Sequence, residues 1–325
     1  MAVMTMVQAI NSALETKLKE DPDVLCYGED VGVEGGVFRV TENLQKQFGE
    51  ARVFDSPLAE SGIVGTAVGM CIAGLRPVVE IQFCGFVYPA FNQILSHVAR
   101  MHNRTRGRYR MSMVIRFPYG GGIKAPEHHS ESMEALYAHI PGLKVVIPSN
   151  PYDAKGLLIS AIESDDPVLY LEPKKIYRAI KQDVPDEKFT IPLGQAKVMQ
   201  EGQDLTLVSY GAMIREAQKA VVMAKKEGYS IELIDLRTIS PIDRETLAQS
   251  IRKTGRVLSV TEGPKSFGVG AEIISIANEE AFLNLEAPPT RLAGFDTVPP
   301  YPRGEGWYFY PPERIFYEIK KLMDF

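Results

Sequence analysis

Short, largely apolar runs, each followed by a stretch with helical spacing, constrain this chain more than any other feature. Val24-Leu25-Cys26-Tyr27, Pro77 to Phe83, Met113 to Phe117, Lys144-Val145-Val146-Ile147 and Pro167 to Glu172 read as strands that lack the strict alternation of a one-sided sheet. Strands apolar on both faces and separated by helices specify a parallel sheet covered on each side. Between them, Met6, Ile10, Leu14 and Leu18 mark one face of a helix that Thr5 and Gln8 open with capping-box spacing and that ends near Pro22. Val87, Phe91, Ile94, Leu95, Val98 and Met101 predict a second helix, and Ser149 or Asn150 caps a third with Pro151 in its first turn.

After Glu172 the apolar periodicity gives way to Lys174, Lys175, Lys181, Asp183, Asp186, Glu187 and Lys188, a composition that reads as chain crossing the surface. A second block then repeats the pattern. Leu205 to Tyr210, Ile231 to Leu236 and Val257 to Thr261 are its strands; Ile214 to Glu227, Arg244 to Arg252, the stretch from Gly268 to Phe282, and Pro312 to Met323 are its helices. The expectation is an α/β fold of two doubly wound domains, residues 1–185 and 204–325, joined by a linker at 186–203.

With 325 residues, 45% of them hydrophobic and 24% charged, the chain has material for two cores. A net charge of -5 with no polybasic run argues against nucleic acid or an anionic membrane as the main partner, since both demand a basic face. Cys26, Cys71 and Cys84 lack C-x-x-C spacing and sit in apolar strings, so they read as small core residues in a reducing compartment. No apolar run approaches the ~20 residues of a membrane span, and Met1 to Met6 lead into a helix without a charged leader, the pattern expected of a cytoplasmic protein.

Chemistry concentrates in a few segments. From Ser61 to Gly74 no residue is charged, and Gly65 and Gly69 stand four apart, so a helix here lets another backbone approach closely. Such a helix is expected to be buried, which places Glu60 at its N-terminal end in low dielectric, where a carboxyl can share a proton. The competing reading is a glutamate that merely favours the helix dipole. The loop from Pro118 to Ser130 follows a strand, where open α/β sheets bind ligands; Gly120 to Gly122 are either an anion-binding nest or a flexible turn. His128 and His129 diverge too much to share a metal, though either can act as acid or base, and a Ser130–His129 hydrolase lacks the G-x-S-x-G elbow. Phe83 and Phe91 read as core, whereas Phe86 and Tyr88 either pack or stack on a ligand ring. Gly28, Glu29 and Asp30 end the first strand at a place open to a ligand, and His97, His102 and His139 read as structural.

Taken in order, Tyr27-Gly28-Glu29-Asp30-Val31, Pro57 to Ile63, Phe86, His129-Ser130, Pro141 to Pro148 and Asp235-Leu236-Arg237-Thr238 resemble one family over essentially the whole chain. It is the β subunit of the E1 component of thiamine-diphosphate-dependent 2-oxo acid dehydrogenases. The resemblance implies a pyrimidine-binding thiamine-diphosphate domain followed by a transketolase C-terminal-like domain. It further implies that Glu60 bonds the aminopyrimidine and promotes loss of the thiazolium C2 proton, that Phe86 contacts the pyrimidine, and that Glu29 joins them in binding the cofactor. His129 then stands for the histidine associated with acyl transfer to a lipoyl arm. The family's G-D-G motif, with its Asn about thirty residues on, is missing here. Magnesium and the diphosphate are therefore expected to be held mainly by an α subunit, in an α2β2 tetramer.

The family's potassium site maps to Met113, Ala161, Ile162, Ser164 and Asp166, with Ser164 where relatives often carry Asp. The second domain is expected to dock the subunit-binding domain of the E2 acyltransferase, near the Phe325 end, and the site to receive the E2 lipoyl domain. Tyr88 to Ile94 and Glu172 to Arg178 look closer to branched-chain members, so branched-chain 2-oxo acids are the expected substrates and pyruvate the alternative. A non-catalytic scaffold subunit fits poorly with retention of Glu60, Phe86 and His129 together.

Overall fold

The computed structural model describes residues 1–325. Its strands are β1 (Ala2–Thr5), β2 (Val24–Gly28), β3 (Val53–Asp55), β4 (Arg76–Glu80), β5 (Val114–Tyr119), β6 (Lys144–Val146), β7 (Val168–Pro173), β8 (Lys181–Val184), β9 (Lys197–Gln200), β10 (Leu205–Ser209), β11 (Ile231–Asp235), β12 (Thr238–Ser240), β13 (Val257–Pro264) and β14 (Thr290–Gly294). Seven of them form one sheet in the order β12-β6-β7-β5-β4-β2-β3, and five form another in the order β14-β13-β10-β11-β9. All pairings in the first sheet are parallel except β12–β6, and all in the second except β11–β9. These are the two α/β sheets that the apolar runs predict. Because β2 has β3 on one side and β4 on the other, the connections diverge there and leave a crevice at the carboxyl ends of the strands.

Local signals act as their chemistry requires. Thr5 and Gln8 form the capping box, Thr5 N–H donating to Gln8 Oε1 at 2.9 Å and Gln8 N–H to Thr5 Oγ1 at 3.4 Å. The Met6–Glu20 helix behind them packs on the Pro151–Glu163 helix, which Asn150 caps by accepting from Asp153 N–H. Cys26, Cys71 and Cys84 are free and buried, and burial pushes each thiol up to about 12.

Four expectations change. The predicted helix from Val87 to Met101 is instead a chain of short turns: 3-10 at Cys84–Phe86 and Tyr88–Ala90, α at Phe91–Gln93, π at Ile94–Val98 and α again at Met101–Arg104. Pro89 has no N–H to give the Gly85 carbonyl, so the Cys84–Phe86 turn cannot run on into the next as one α-helix. The stretch before Met6 is a strand, β1, paired antiparallel with β8. Within the 186–203 segment expected to be linker, Lys197–Gln200 forms β9, the edge of the second sheet; its side chains are half or fully exposed, so it carries no buried-strand signature. Finally, the domains do not stay apart. β12 crosses to extend the first sheet beside β6, and one apolar core runs from Ile63 and Phe117 through Val208, Leu236 and Ile251. Asp235 to Thr238 make that crossing: Arg237, at φ 57°, donates to Asp153 at 2.7 and 3.1 Å, while Asp235 accepts from Ser149.

Candidate active site

Glu29 follows β2, Glu60 opens the helix after β3, Phe86 lies in the turn after β4, and His129 sits in the loop after β5. These strands are parallel neighbours, so all four residues leave the sheet from its carboxyl edge. Tyr27 OH donates to the Ile63 carbonyl at 2.7 Å and its ring stacks on Phe54 at 4.9 Å, which ties the first turn of the Glu60–Ile72 helix to β2 and β3. Ser61 hydroxyl donates to the Pro89 carbonyl and links the same turn to the segment carrying Phe86.

The two glutamates differ from expectation in an informative way. Glu60 is half-exposed, because the outer face of its helix, with Gly62, Thr66, Gly69, Ile72 and Ala73, lies open while Ile63, Val64, Ala67, Val68 and Cys71 face the core. The expected burial of that helix is only one-sided within this chain. Glu29 is the buried member: it is 6% exposed, and its Oε1 has no hydrogen-bond partner. Desolvation, then the charge of Glu60, hold the Glu29 carboxyl above its ordinary range.

Phe86 and His129 are brought into ring contact, their centroids 5.1 Å apart, and Phe83 packs edge-on against both at 5.6 and 4.3 Å. Gly85 makes this possible, since a Cβ there would lie 2.4 Å from the His128 carbonyl oxygen. Burial, then the nearby Lys174 ammonium, lower the imidazole of His129, and its buried Nδ1 has no partner. A neutral imidazole with an unpaired nitrogen can accept or return a proton. His128 points elsewhere, its ring half-exposed and 3.7 Å from the Glu131 carboxylate. Ser130 Oγ donates to the Ala125 carbonyl at 3.2 Å and not to His129, so no Ser–His pair exists.

The five potassium positions cluster where strands β5 and β7 begin, but fixed cations already occupy that region. Arg76 donates to the carbonyls of Ile162 and Ser164 at 3.1 and 3.3 Å, and Lys144 lies 3.1 Å from both Ser164 Oγ and the Asp166 carboxylate. The Ala161 and Met113 carbonyls accept from the N–H groups of Ser164 and Val168. Arg76 and Lys144 therefore stand among the groups that the resemblance assigns to potassium. No cluster of three or more His, Cys, Asp or Glu side chains is arranged for a metal.

Residues that sequence reading passed over also reach this edge. Lys174, read as surface chain, is 4% exposed, donates to the Gly120 carbonyl, and is lowered to about 8 by burial. Glu262 and Glu305, from the second domain, accept from the backbone of the Gly120–Lys124 loop. Nothing local in the sequence announces either carboxylate. A cleft of about 720 Å³ between the Ser132–His139 segment and Gly263–Glu272 contains none of the four site residues, so volume alone does not mark the chemistry.

Comparisons with known proteins bear on the fold and the family. Residues 2–180 match the family described as transketolase, pyrimidine binding domain, and residues 194–315 match transketolase, C-terminal domain. The pyruvate dehydrogenase E1 component subunit beta of Acholeplasma laidlawii is 55% identical over 322 residues, 99% of this chain and 98% of that protein. Its namesake from Staphylococcus epidermidis is 53% identical over the full length of both, and that from Staphylococcus aureus 52%. A split-gene transketolase, solved as an inactive beta4 tetramer, shares the fold at 21% identity, with a TM-score of 0.80 over 99% of each chain. The branched-chain preference drawn from Tyr88–Ile94 and Glu172–Arg178 finds no support among these relatives. Both segments have internal duties: Tyr88 donates to Glu131, and Glu172 is fully buried, accepting from Arg116 at 2.7 Å and Tyr177 at 2.5 Å. Packing of that kind carries no information about a substrate.

Proposed function

The chain belongs to the β subunits of the thiamine-diphosphate-dependent 2-oxo acid dehydrogenase E1 family, and we propose that it supplies the pyrimidine-side half of a site that decarboxylates pyruvate and passes the acyl group to a lipoyl arm. The observation that carries this reading is the convergence of Glu29, Glu60, Phe86 and His129 on one sheet edge, with Glu29 Oε1 and His129 Nδ1 buried and unpaired. Orphaned polar atoms in a crevice fit a ligand that presents donors and acceptors.

Thiamine diphosphate, when bound, supplies the electron sink for loss of carbon dioxide. Glu60 would hold the ring nitrogen of its aminopyrimidine, and Phe86 its face. Burial and the neighbouring charge of Glu60 raise the Glu29 carboxyl, which makes it the readier of the two to carry a proton. His129, neutral and with an unpaired nitrogen, exchanges a proton during transfer of the acyl group. An α subunit would bring the diphosphate and magnesium ligands and would cover the open small-residue face of the Glu60–Ile72 helix. The E2 acyltransferase would provide the lipoyl domain, with its subunit-binding domain on the C-terminal half.

Co-expression with an α subunit tests the reading. The purified chain alone is expected to be inert, while the α2β2 assembly releases carbon dioxide from pyruvate faster than from 2-oxoisovalerate, and only with thiamine diphosphate. Turnover by the isolated chain, or turnover independent of the cofactor, sinks it.

A further inference from the structure

The glycine run that the sequence presents as a nest for an anion already has its anions, and they come from the other domain. Gly121 N–H donates to Glu262 Oε1 at 2.6 Å. Gly122 N–H donates to Glu305 Oε1 at 2.7 Å, and Lys124 N–H reaches both oxygens of Glu305 at 3.1 and 2.9 Å. Glu262 Oε1 also accepts from Ser132 Oγ at 3.2 Å. One carboxylate oxygen therefore holds the two ends of the loop that carries His129. Both glutamates are buried, at 5% and 7% exposure, which makes these charge-assisted bonds hard for water to replace.

The loop is shaped for this grip. Gly120 and Gly122 adopt φ of 77° and 89°, and a Cβ on Gly121 would fall 2.0 Å from the ring of Phe309, another residue of the second domain. On the opposite side Lys174 holds the Gly120 carbonyl, and Gly85 admits the His128 backbone. His129 itself has no side-chain hydrogen bond at its buried Nδ1, so the position of its ring depends on its backbone and on Phe83 and Phe86.

We propose that Glu262 and Glu305 are positioning residues through which the C-terminal domain sets His129 for acyl transfer. The inference rests on the function proposed above. In that transfer the lipoyl S–S bond breaks. One sulfur bonds to the acyl carbon, which gives two electrons to the disulfide, loses its hydroxyl proton as it becomes a carbonyl and is released when its bond to the cofactor breaks with the electron pair left on the cofactor. The other sulfur leaves as a thiol whose proton comes from a neighbouring acid, the role of the His129 imidazole once protonated. Decarboxylation precedes this step, and on this proposal it draws no proton from the imidazole.

Two readouts on Glu305→Ala and Glu305→Gln test it. In the full chain, hydrogen–deuterium exchange of the peptide covering residues 119–132 is expected to quicken about tenfold in Glu305→Ala, with the core strand β5 unchanged. Glu305→Gln, which keeps one acceptor oxygen, should sit close to wild type. In the α2β2 assembly, Glu305→Ala should lower acylation of a lipoyl domain about tenfold more than it lowers dye-linked decarboxylation, and Glu305→Gln should recover most of the loss. Unaltered loop exchange overturns the proposal, and so does an equal fall in both half-reactions. Should the wild-type assembly turn over no oxo acid, the functional reading fails and the catalytic part of the proposal falls with it. The exchange measurement, made without turnover, judges the grip separately.

Discussion

Glu60 and Glu134 each stand as the first residue of a helix, yet the chain treats them in opposite ways. Glu134 is 2% exposed, accepts from Tyr210 OH at 2.7 Å across the domain junction, and is pushed up to about 7 by burial. Glu60 is half-exposed beside an open helix face. Through Oε1 the buried Glu134 works as a strut between domains, although its Oε2, like Glu29 Oε1, is buried without a partner. Glu60, left half-covered next to Glu29, has surroundings that a second chain would complete. Perturbed acids are useful pointers to sites, but burial at a domain junction also raises Glu134.

The largest effect that would sharpen this contrast is at Glu60. In the reconstituted assembly Glu60→Gln is expected to slow exchange of the cofactor C2 proton by roughly 10² to 10⁴, followed by NMR; retained fast exchange would remove its assigned role. The same substitution takes away the charge that helps raise Glu29, so the Glu29 carboxyl should titrate lower, visible with carbon-13 labelling.

Glu134 predicts a stability effect instead. Its carboxyl titrates near 7 when folded and near 4.5 when unfolded, so between those values the folded chain binds more protons, and stability falls as pH rises through that window. Glu134→Gln removes this dependence. Urea unfolding at about pH 5 and pH 8 should show the loss on going alkaline reduced by roughly 2 kcal/mol in the variant, and a parallel pair of profiles would refute the strut.

A smaller effect probes the open helix face. A Cβ on Gly69 meets nothing within 4 Å, so Gly69→Ala should stabilise the isolated chain by about 0.5 to 1 kcal/mol through helix propensity. The same methyl should weaken association with the α subunit, read by sedimentation. Unchanged assembly would show that the face is not a seam.

Much of this was legible locally. Continuous apolar runs with interposed helical spacing announce two parallel sheets, the Thr5–Gln8 box fixes where the first helix begins, and Glu29, Glu60, Phe86 and His129 each follow a strand of the first sheet. The irregular 3-10, α and π turns that replace the helix expected at Val87–Met101 leave no mark in the apolar spacing. The short edge strand β9 escaped notice because half-exposed side chains leave no strong periodic signal.

What the sequence alone determined is the central strands and long helices of both sheets and the chemical groups that follow those strands, because these follow from spacing and capping within a few residues. Only the tertiary structure decided which glutamate is buried, that β12 joins the sheet of the other domain, and what fills the glycine nest. The bonds from Gly121 to Glu262 and from Gly122 to Glu305 join residues 141 and 183 positions apart. Desolvation and hydrogen bonding act through space, so no local pattern along the chain can encode them.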